Sequence, residues 1–470
     1  MKLFQRNILA AITLVSVLAA AAACTREALQ PGPEGDFVDP SDFEIGWHYG
    51  EAINIDTRTE QSVSAENSVT NLYVLLSDQD GNIIHRKSYW VSSTAITPTG
   101  YDDVITSYSV KQTEDGEASS GTILRYFDNA PNMSAYSGKA LTFYAVANYS
   151  DAVGAQLKAA TTKEDIENLS VSFTTSGNVN RTRFLMVAKE EGIVLNINDE
   201  GKIERIGVNL ELKRVDAKIK FNLTVSIAEA VPGTVDFEDM TYRVHRVPNV
   251  TYLFPREKGS GTQEDWDAAA AFEANAESTG YSCMLDDNYQ TFDVTESDNT
   301  GGTFAFYMRE NRPVPKMEIT VAEKGNFSSL YAMREAWDTD ETINPSDPAS
   351  NRVPVHGRTF KYAPENSTFV EISGNLSYTR KGAEGNEEVF GSVTYIVHLG
   401  ETGNDPNDQE AVNNYDVRRN VNYIYNMRIT GINNFEVEVT TGEELRPGAE
   451  GDITVSTNKQ ITVDAHYARI

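Results

Sequence analysis

The residue types that carry most enzyme chemistry are present in this chain but are not spaced for it. Six histidines occur, His48, His85, His245, His356, His398 and His466. None stands in an H-E-x-x-H pattern or beside a cysteine, the local spacings that would hold zinc. There is no G-x-S-x-G elbow, phosphate-binding loop or G-x-G-x-x-G turn. The 69 acidic residues pair so often by chance that a pair of carboxylates singles out no glycosidase site. The stretch SDQDGN at 77–82 has the composition of a calcium loop. Its Gly81 falls at the fourth position instead of the sixth, and Tyr89 stands where the twelfth-position Glu belongs, so it reads as a turn. His398, in TYIVHLG, is expected on a strand and facing solvent. Four tryptophans and 22 tyrosines could stack on a sugar, but strands favour aromatic residues for packing alone. The expectation is a protein that is not an enzyme, with no cofactor and no metal.

Chemistry of another kind is written at the start of the chain. Lys2 and Arg6 precede an apolar run from Ile8 to Leu18, which a series of alanines carries to Cys24. This is the layout of a secretory signal, too short to span a bilayer comfortably. The small residues before the cysteine, AAAC, resemble a bacterial lipobox. That resemblance implies cleavage between Ala23 and Cys24 and acylation of Cys24, tying the chain to the outer membrane. Cys283 is then left without a partner, so no disulfide is expected and the fold must rest on its core. The chain is long enough for two or three domains. A formal net charge of −29 gives no basic stripe to displace counterions, which disfavours nucleic acid and suits an exposed, solvated surface.

The elements that follow are read from a period of two. Residues 24–41 hold Pro, Gly and acidic side chains and read as a tether. Phe43, Ile45, Trp47 and Tyr49 then alternate with small or polar residues. TNLYVLL at 70–76 leads into Asp80-Gly81, a hairpin signal. LTFYAVAN at 141–148 is a buried strand by composition. Alternation is strongest through Val208, Leu210 and Leu212, and again through Ile219, Phe221, Leu223 and Val225. Further strands are predicted at 304–308, 315–321, 393–399, 421–430 and 434–440. A short helix is predicted at 162–169, with Thr162 as N-cap and Glu164 and Asp165 in its first turn. Short strands between Gly, Asn, Asp and Pro clusters indicate an all-β chain of sandwiches or barrels with few short helices. The predicted division is a signal over 1–23, a lipidated tether over 24–41, one domain over 42–213, a second over 214–440, and an extension over 441–470.

Four stretches resemble the fimbrillin, or type V pilin, family and its lipoprotein relatives. They are INIDTRTEQSVSAENSVTNLYVLLSDQDGNII at 53–84, RTRFLMVAKEEG at 181–192 with LELKRVDAKIKFNLTV at 210–225, FYMRENR at 306–312, and NNYDVRRNVNYIYNMRITGI at 413–432. Together they punctuate nearly the whole chain in the family's order. The resemblance implies two β-sandwich domains in tandem, transthyretin-like and Greek-key, and a subunit of an adhesive fimbria at the cell surface. It implies export as a lipoprotein and a cut by an arginine-specific protease, matched here to Arg58-Thr59. The cut would remove the strand bearing Phe43, Ile45, Trp47 and Tyr49, taken to be an edge strand. Partners would be other fimbrial subunits and a host or bacterial receptor.

A sandwich stripped of a strand exposes unpaired backbone groups and a row of empty side-chain pockets. A strand lent by another chain refills them, and a head-to-tail contact of that kind grows into a filament. The donor is expected at the C-terminus, beyond the Pro-Gly break in EELRPGAEG at 443–451. Ile461, Val463, Ala465 and Tyr467 alternate there, after Ile453 and Val455. Two other readings stay open. One is a fimbrial anchor that keeps its lipid, and the other is a surface glycan-binding lipoprotein.

Overall fold

The computed structural model describes residues 36–49, 68–172, 184–255, 281–338, 360–400 and 407–443, less a few positions inside those ranges, and the short strands at 461–464 and 468–469. Ala23, Cys24, Arg58, Thr59, Ala465 and Tyr467 lie outside the described residues, as do Ile453 and Val455.

The chain is all-β. Its first half contributes β1 (Phe37–Val38), β2 (Ile45–Tyr49), β3 (Asn71–Ser77), β4 (Ile83–Val91), β5 (Asp103–Ile105), β6 (Tyr108–Thr113), β7 (Gly116–Ile123), β8 (Ala140–Ala147), β9 (Ser170–Ser172), β10 (Met186–Val194), β11 (Ile203–Glu204) and β12 (Val208–Arg214). Nine of these run in the order β5-β4-β3-β8-β10-β12-β2-β7-β6. Strands β10 and β12 meet only at Met186↔Arg214 and Val187↔Lys213. There the sheet turns a corner, and its two arms face each other. Leu72, Val74, Phe143 and Ala145 from one arm pack with Ile45, Trp47, Ile123 and Leu210 from the other in a single core.

Two helices cover the outer face of β3 and β8. Helix α1 (Asp151–Ala159) buries Val153 and Leu157, and α2 (Lys163–Glu167) buries Ile166. The predicted cap at Thr162 is present as a reciprocal capping box with Asp165. That arrangement, mainly the backbone N–H groups of Thr161 and Thr162, holds the Asp165 carboxyl down at about 2. Helix α1 is not anticipated from the sequence, because its single i, i+4 apolar pair gives almost no helical stripe.

After Val215 the chain enters other sheets. The second half holds β13 (Asp216–Val225), β14 (Asp236–Pro248), β15 (Val250–Tyr252), β16 (Tyr281–Met284), β17 (Gln290–Thr291), β18 (Asp293–Val294), β19 (Gly301–Arg309), β20 (Phe369–Gly382), β21 (Gly385–His398), β22 (Val421–Gly431), β23 (Asn434–Glu443), β24 (Ile461–Asp464) and β25 (Ala468–Arg469). One sheet runs β18-β19-β13-β22-β23-β24, and the facing one β16-β14-β20-β21-β25. Aromatic stacking fills the space between them. Phe304 lies 3.7 Å from Tyr242 and 4.8 Å from Phe221, and Phe221 lies 4.7 Å from Tyr425, all near-parallel.

Several expectations are corrected here. Phe37 and Val38 pair with Glu204 and Ile203, inside the stretch read as a tether. The described residues within 315–321 form no strand: Ile319 is tied by its N–H and carbonyl to the side-chain amide of Asn413, and Val321–Glu323 is a 3₁₀ turn. Alternation alone mimicked a strand that has no ladder to join.

His398 does not face solvent. It is wholly buried, with Nδ1 2.5 Å from Glu335 Oε2 and the Phe360, Phe369 and Tyr415 rings around it. Burial, ahead of the opposing pull of Glu335, pushes its imidazole below the ordinary value of 6.5, and Arg334 and Arg246 push the same way. The unfolded chain therefore binds the proton more readily, so this contribution to stability is intact above 6.5 and is lost as pH falls below it. Urea midpoints taken from about pH 7.5 down to about 5.5 should drop, and His398→Gln should flatten that slope. An unchanged slope in the variant would remove His398 as its source.

Candidate functional site

Strand β2 is the element on which the sequence places most weight, and the fold puts it in an unexpected position. It is not an edge strand. It lies between β12, to which it is parallel, and β7, to which it is antiparallel. Ile45 stands opposite Val208 and Ile123, Trp47 opposite Leu210 and Gly121, and Tyr49 opposite Leu212 and Ser119. Its loss would therefore open a slot inside a sheet, with two bare edges, and leave the β6–β7 hairpin unpaired from β12.

The alternation read from the sequence is reproduced in burial. Phe43, Ile45, Trp47 and Tyr49 are each at most 1% exposed, whereas Gly46 and His48 are partly exposed. Phe43 packs edge-on against Phe127, their ring centres 5.5 Å apart. Trp47 lies directly over Gly121, where an added Cβ would come within 2.6 Å of the indole. Burying four such side chains contributes roughly 6–12 kcal/mol at about 1.5–3 each. One defect offsets part of it: Trp47 Nε1 is buried without a hydrogen-bond partner, a loss of about 1–3 kcal/mol.

Two polar anchors fix the end of the strand. On the outer face His48 Nδ1 is 3.1 Å from Asn209 Oδ1. On the inner face Arg214 Nε donates to the Tyr49 hydroxyl, and the guanidinium lies over the Tyr49 and Phe184 rings at 5.2 and 5.4 Å. Arg214 is itself only 2% exposed. It sits at the junction with the second half, where its N–H donates to Asn420 Oδ1 (3.1 Å) and Phe184 packs on Tyr307 (4.6 Å). Sequence reading missed Arg214, Asn209, Phe184 and Gly121. The signal for Arg214 was available: after Val208, Leu210 and Leu212 it falls on the inward phase of its strand, an unusual place for a cation.

The C-terminal residues occupy edges. β24 pairs with β23 from Val437↔Ile461 to Asn434↔Asp464, and β25 pairs with β21 through Ser392↔Arg469 and Val393↔Ala468. Among the described residues each is the last strand of its sheet and is paired on one side only. Ile461 and Val463 are thus on a strand as expected. An open cleft of about 490 Å³ between β1 and Lys202, Arg205 and Leu124 is walled mostly by residues from Phe37 to Glu44, so it belongs to the same N-terminal segment.

No family model and no curated protein matches the chain. Among solved structures it is similar to the tip fimbrial protein Mfa3 from Porphyromonas gingivalis with C-terminal truncation, at 12% identity over 85% of this chain and 99% of that one, with a TM-score of 0.42. It is similar to a fimbrilin (FimA) from Porphyromonas gingivalis W83, at 11% identity over 90% and 98%, TM-score 0.39. It is also similar to a fimbrial assembly protein from Parabacteroides distasonis, at 12% identity over 87% and 100%, TM-score 0.35.

Proposed function

We propose that this chain is a structural subunit, stalk or accessory/tip, of a surface fimbria. In this reading it is exported through the signal at 1–23, held at the outer membrane by lipid on Cys24, and released for assembly by a cut between Arg58 and Thr59. The observation that carries the reading is the placement of β2. A strand whose Ile45, Trp47 and Tyr49 are buried, with Phe43 buried just before it, lies between β7 and β12, and its covalent link to the strands that follow runs through residues 50–67, which contain Arg58. Cutting there turns a covalent part of the core into a ligand that can leave. The gap it leaves is two-sided, which favours replacement by another strand over simple solvation.

The remaining parts of the reading fit around that strand. The change of sheets after Val215 supports a domain boundary near 213, with domains over 42–213 and 214–440. The edge positions of β24 and β25 support 441–470 as the segment that one subunit lends to another. Partners are then further subunits, an arginine-specific protease, and a receptor on a host or bacterial surface.

Mild trypsin treatment of the folded protein tests this. A single cut after Arg58, release of the lipid-bearing fragment, and a ladder of oligomers on an unboiled gel are expected, and Arg58→Ala should abolish all three. A monomer after a clean cut at Arg58, or an earlier cut elsewhere, would remove the proposal.

A further inference from the structure

The two halves are joined by more than the chain crossing at Val215. Beyond Pro248 the chain leaves the second half's sheets and returns to the first half. There β15 pairs antiparallel with β9, placing Thr251 opposite Val171 and Tyr252 opposite Ser170. The Leu253 N–H then donates to the Leu169 carbonyl at 2.8 Å. Leu253 and Phe254 are buried in the core beneath α1 and α2, with Leu75, Tyr144, Leu157 and Ile166. The Phe254 ring stands edge-on to Tyr144, their centres 5.2 Å apart. Among the described residues, every other buried member of that core lies between Tyr73 and Val215.

One side chain of the second half fastens this segment. Arg419 donates from its two Nη atoms to the Leu253 carbonyl (2.9 Å), the Tyr252 carbonyl (3.0 Å) and Thr251 Oγ1 (3.4 Å). Its Nε meets Glu310 Oε2 at 2.7 Å, and both side chains are nearly buried, at 8% and 3% exposed. Glu310 directly follows β19 and Arg419 stands just before β22, so the grip comes from the sheet that holds β13. Carbonyls at the end of a three-residue ladder need donors, and a planar guanidinium meets two of them at once.

We infer that residues 250–254 are a strap, latched by Arg419, that makes the two halves one rigid unit and removes the hinge a lone crossing at Val215 would allow. The attachments sit on both faces of the first sheet. Tyr307 enters the inner core from the second half, and the strap fills the outer one. A body tied on two faces cannot swing about one peptide without emptying a close-packed core. The change of sheets near 213 is therefore not a division of cores. This coupling belongs to the uncut monomer and does not depend on strand exchange.

Pulse-labelled hydrogen exchange across a urea series tests it in the full chain with Cys24 and Cys283 replaced by Ser. Amides of β3 and β8 should open at the same midpoint as those of β13 and β22. Arg419→Met keeps an apolar stem without a donor, and should make β3 and β8 open at least roughly 0.5 M earlier than β13 and β22. Phe254→Ala should separate them in the same sense. Val171→Cys with Thr251→Cys, added to Arg419→Met, ties the strap to β9 across their antiparallel pair. Oxidised, that chain should recover the shared midpoint, and reduction should divide it again. A variant that folds only when oxidised would support the strap equally. Separate midpoints in the parent chain would overturn the single unit. A midpoint still shared in Arg419→Met would overturn the latch, and one still shared in Phe254→Ala would overturn the strap. Divided midpoints that the closed disulfide fails to rejoin would overturn the strap as the source of the coupling.

Discussion

Trp47→Ala is expected to lower the unfolding free energy of the uncut chain by about 3 kcal/mol, at the lower end of the roughly 3–5 kcal/mol typical of a buried aromatic truncation. The indole fills the space over Gly121, which has no side chain to collapse into the gap. The lower figure follows from Nε1, whose buried and unpartnered donor disappears with the ring. Trp47→Phe separates the two effects, since it removes the donor and keeps most of the apolar body. It should cost markedly less than alanine in a urea titration. In the cut chain the same substitution acts on release. A loss of about 3 kcal/mol in the bound strand alone speeds its departure by roughly a hundredfold, read as the half-life of the N-terminal fragment on native mass spectrometry. A change in stability below about 1 kcal/mol would mean that the indole does not anchor the strand.

How far this could be read from residues alone depends on the range of the interaction. The inward faces of β2, β12 and β13 were legible because alternation is local, and each predicted position is buried. The position of β2 inside its sheet was not legible. Its neighbours, β7 and β12, come from distant parts of the chain, and nothing in Phe43 to Tyr49 names them. His398 shows the same limit. Its strand was correctly placed, but its burial depends on Glu335 and Phe360, which the sequence does not mark as partners. The polar end of the site divides along this line. Arg214 could have been suspected from its phase in the strand, whereas its contact with Tyr49 required the fold.

Removing the tail is expected to have the largest effect on assembly. A chain ending at 443 keeps β2, β7 and β12 and, once cut, can still accept a strand, but it has none to lend. Alone it should remain monomeric after cutting. Mixed in equal amount with the intact protein it should act as a terminator, because each copy that enters a growing chain by accepting a tail cannot extend it further, and ladders should shorten to about two subunits on average. A variant that merely misfolds would leave the ladder of the intact protein unchanged, so the mixture separates loss of donation from loss of structure. The edge positions of β24 and β25 make this separation workable: their removal uncovers β23 and β21 but leaves the stacked Tyr242, Phe304, Phe221 and Tyr425 in place. Full-length ladders that incorporate the shortened chain at interior positions would show that the tail is not the lent strand.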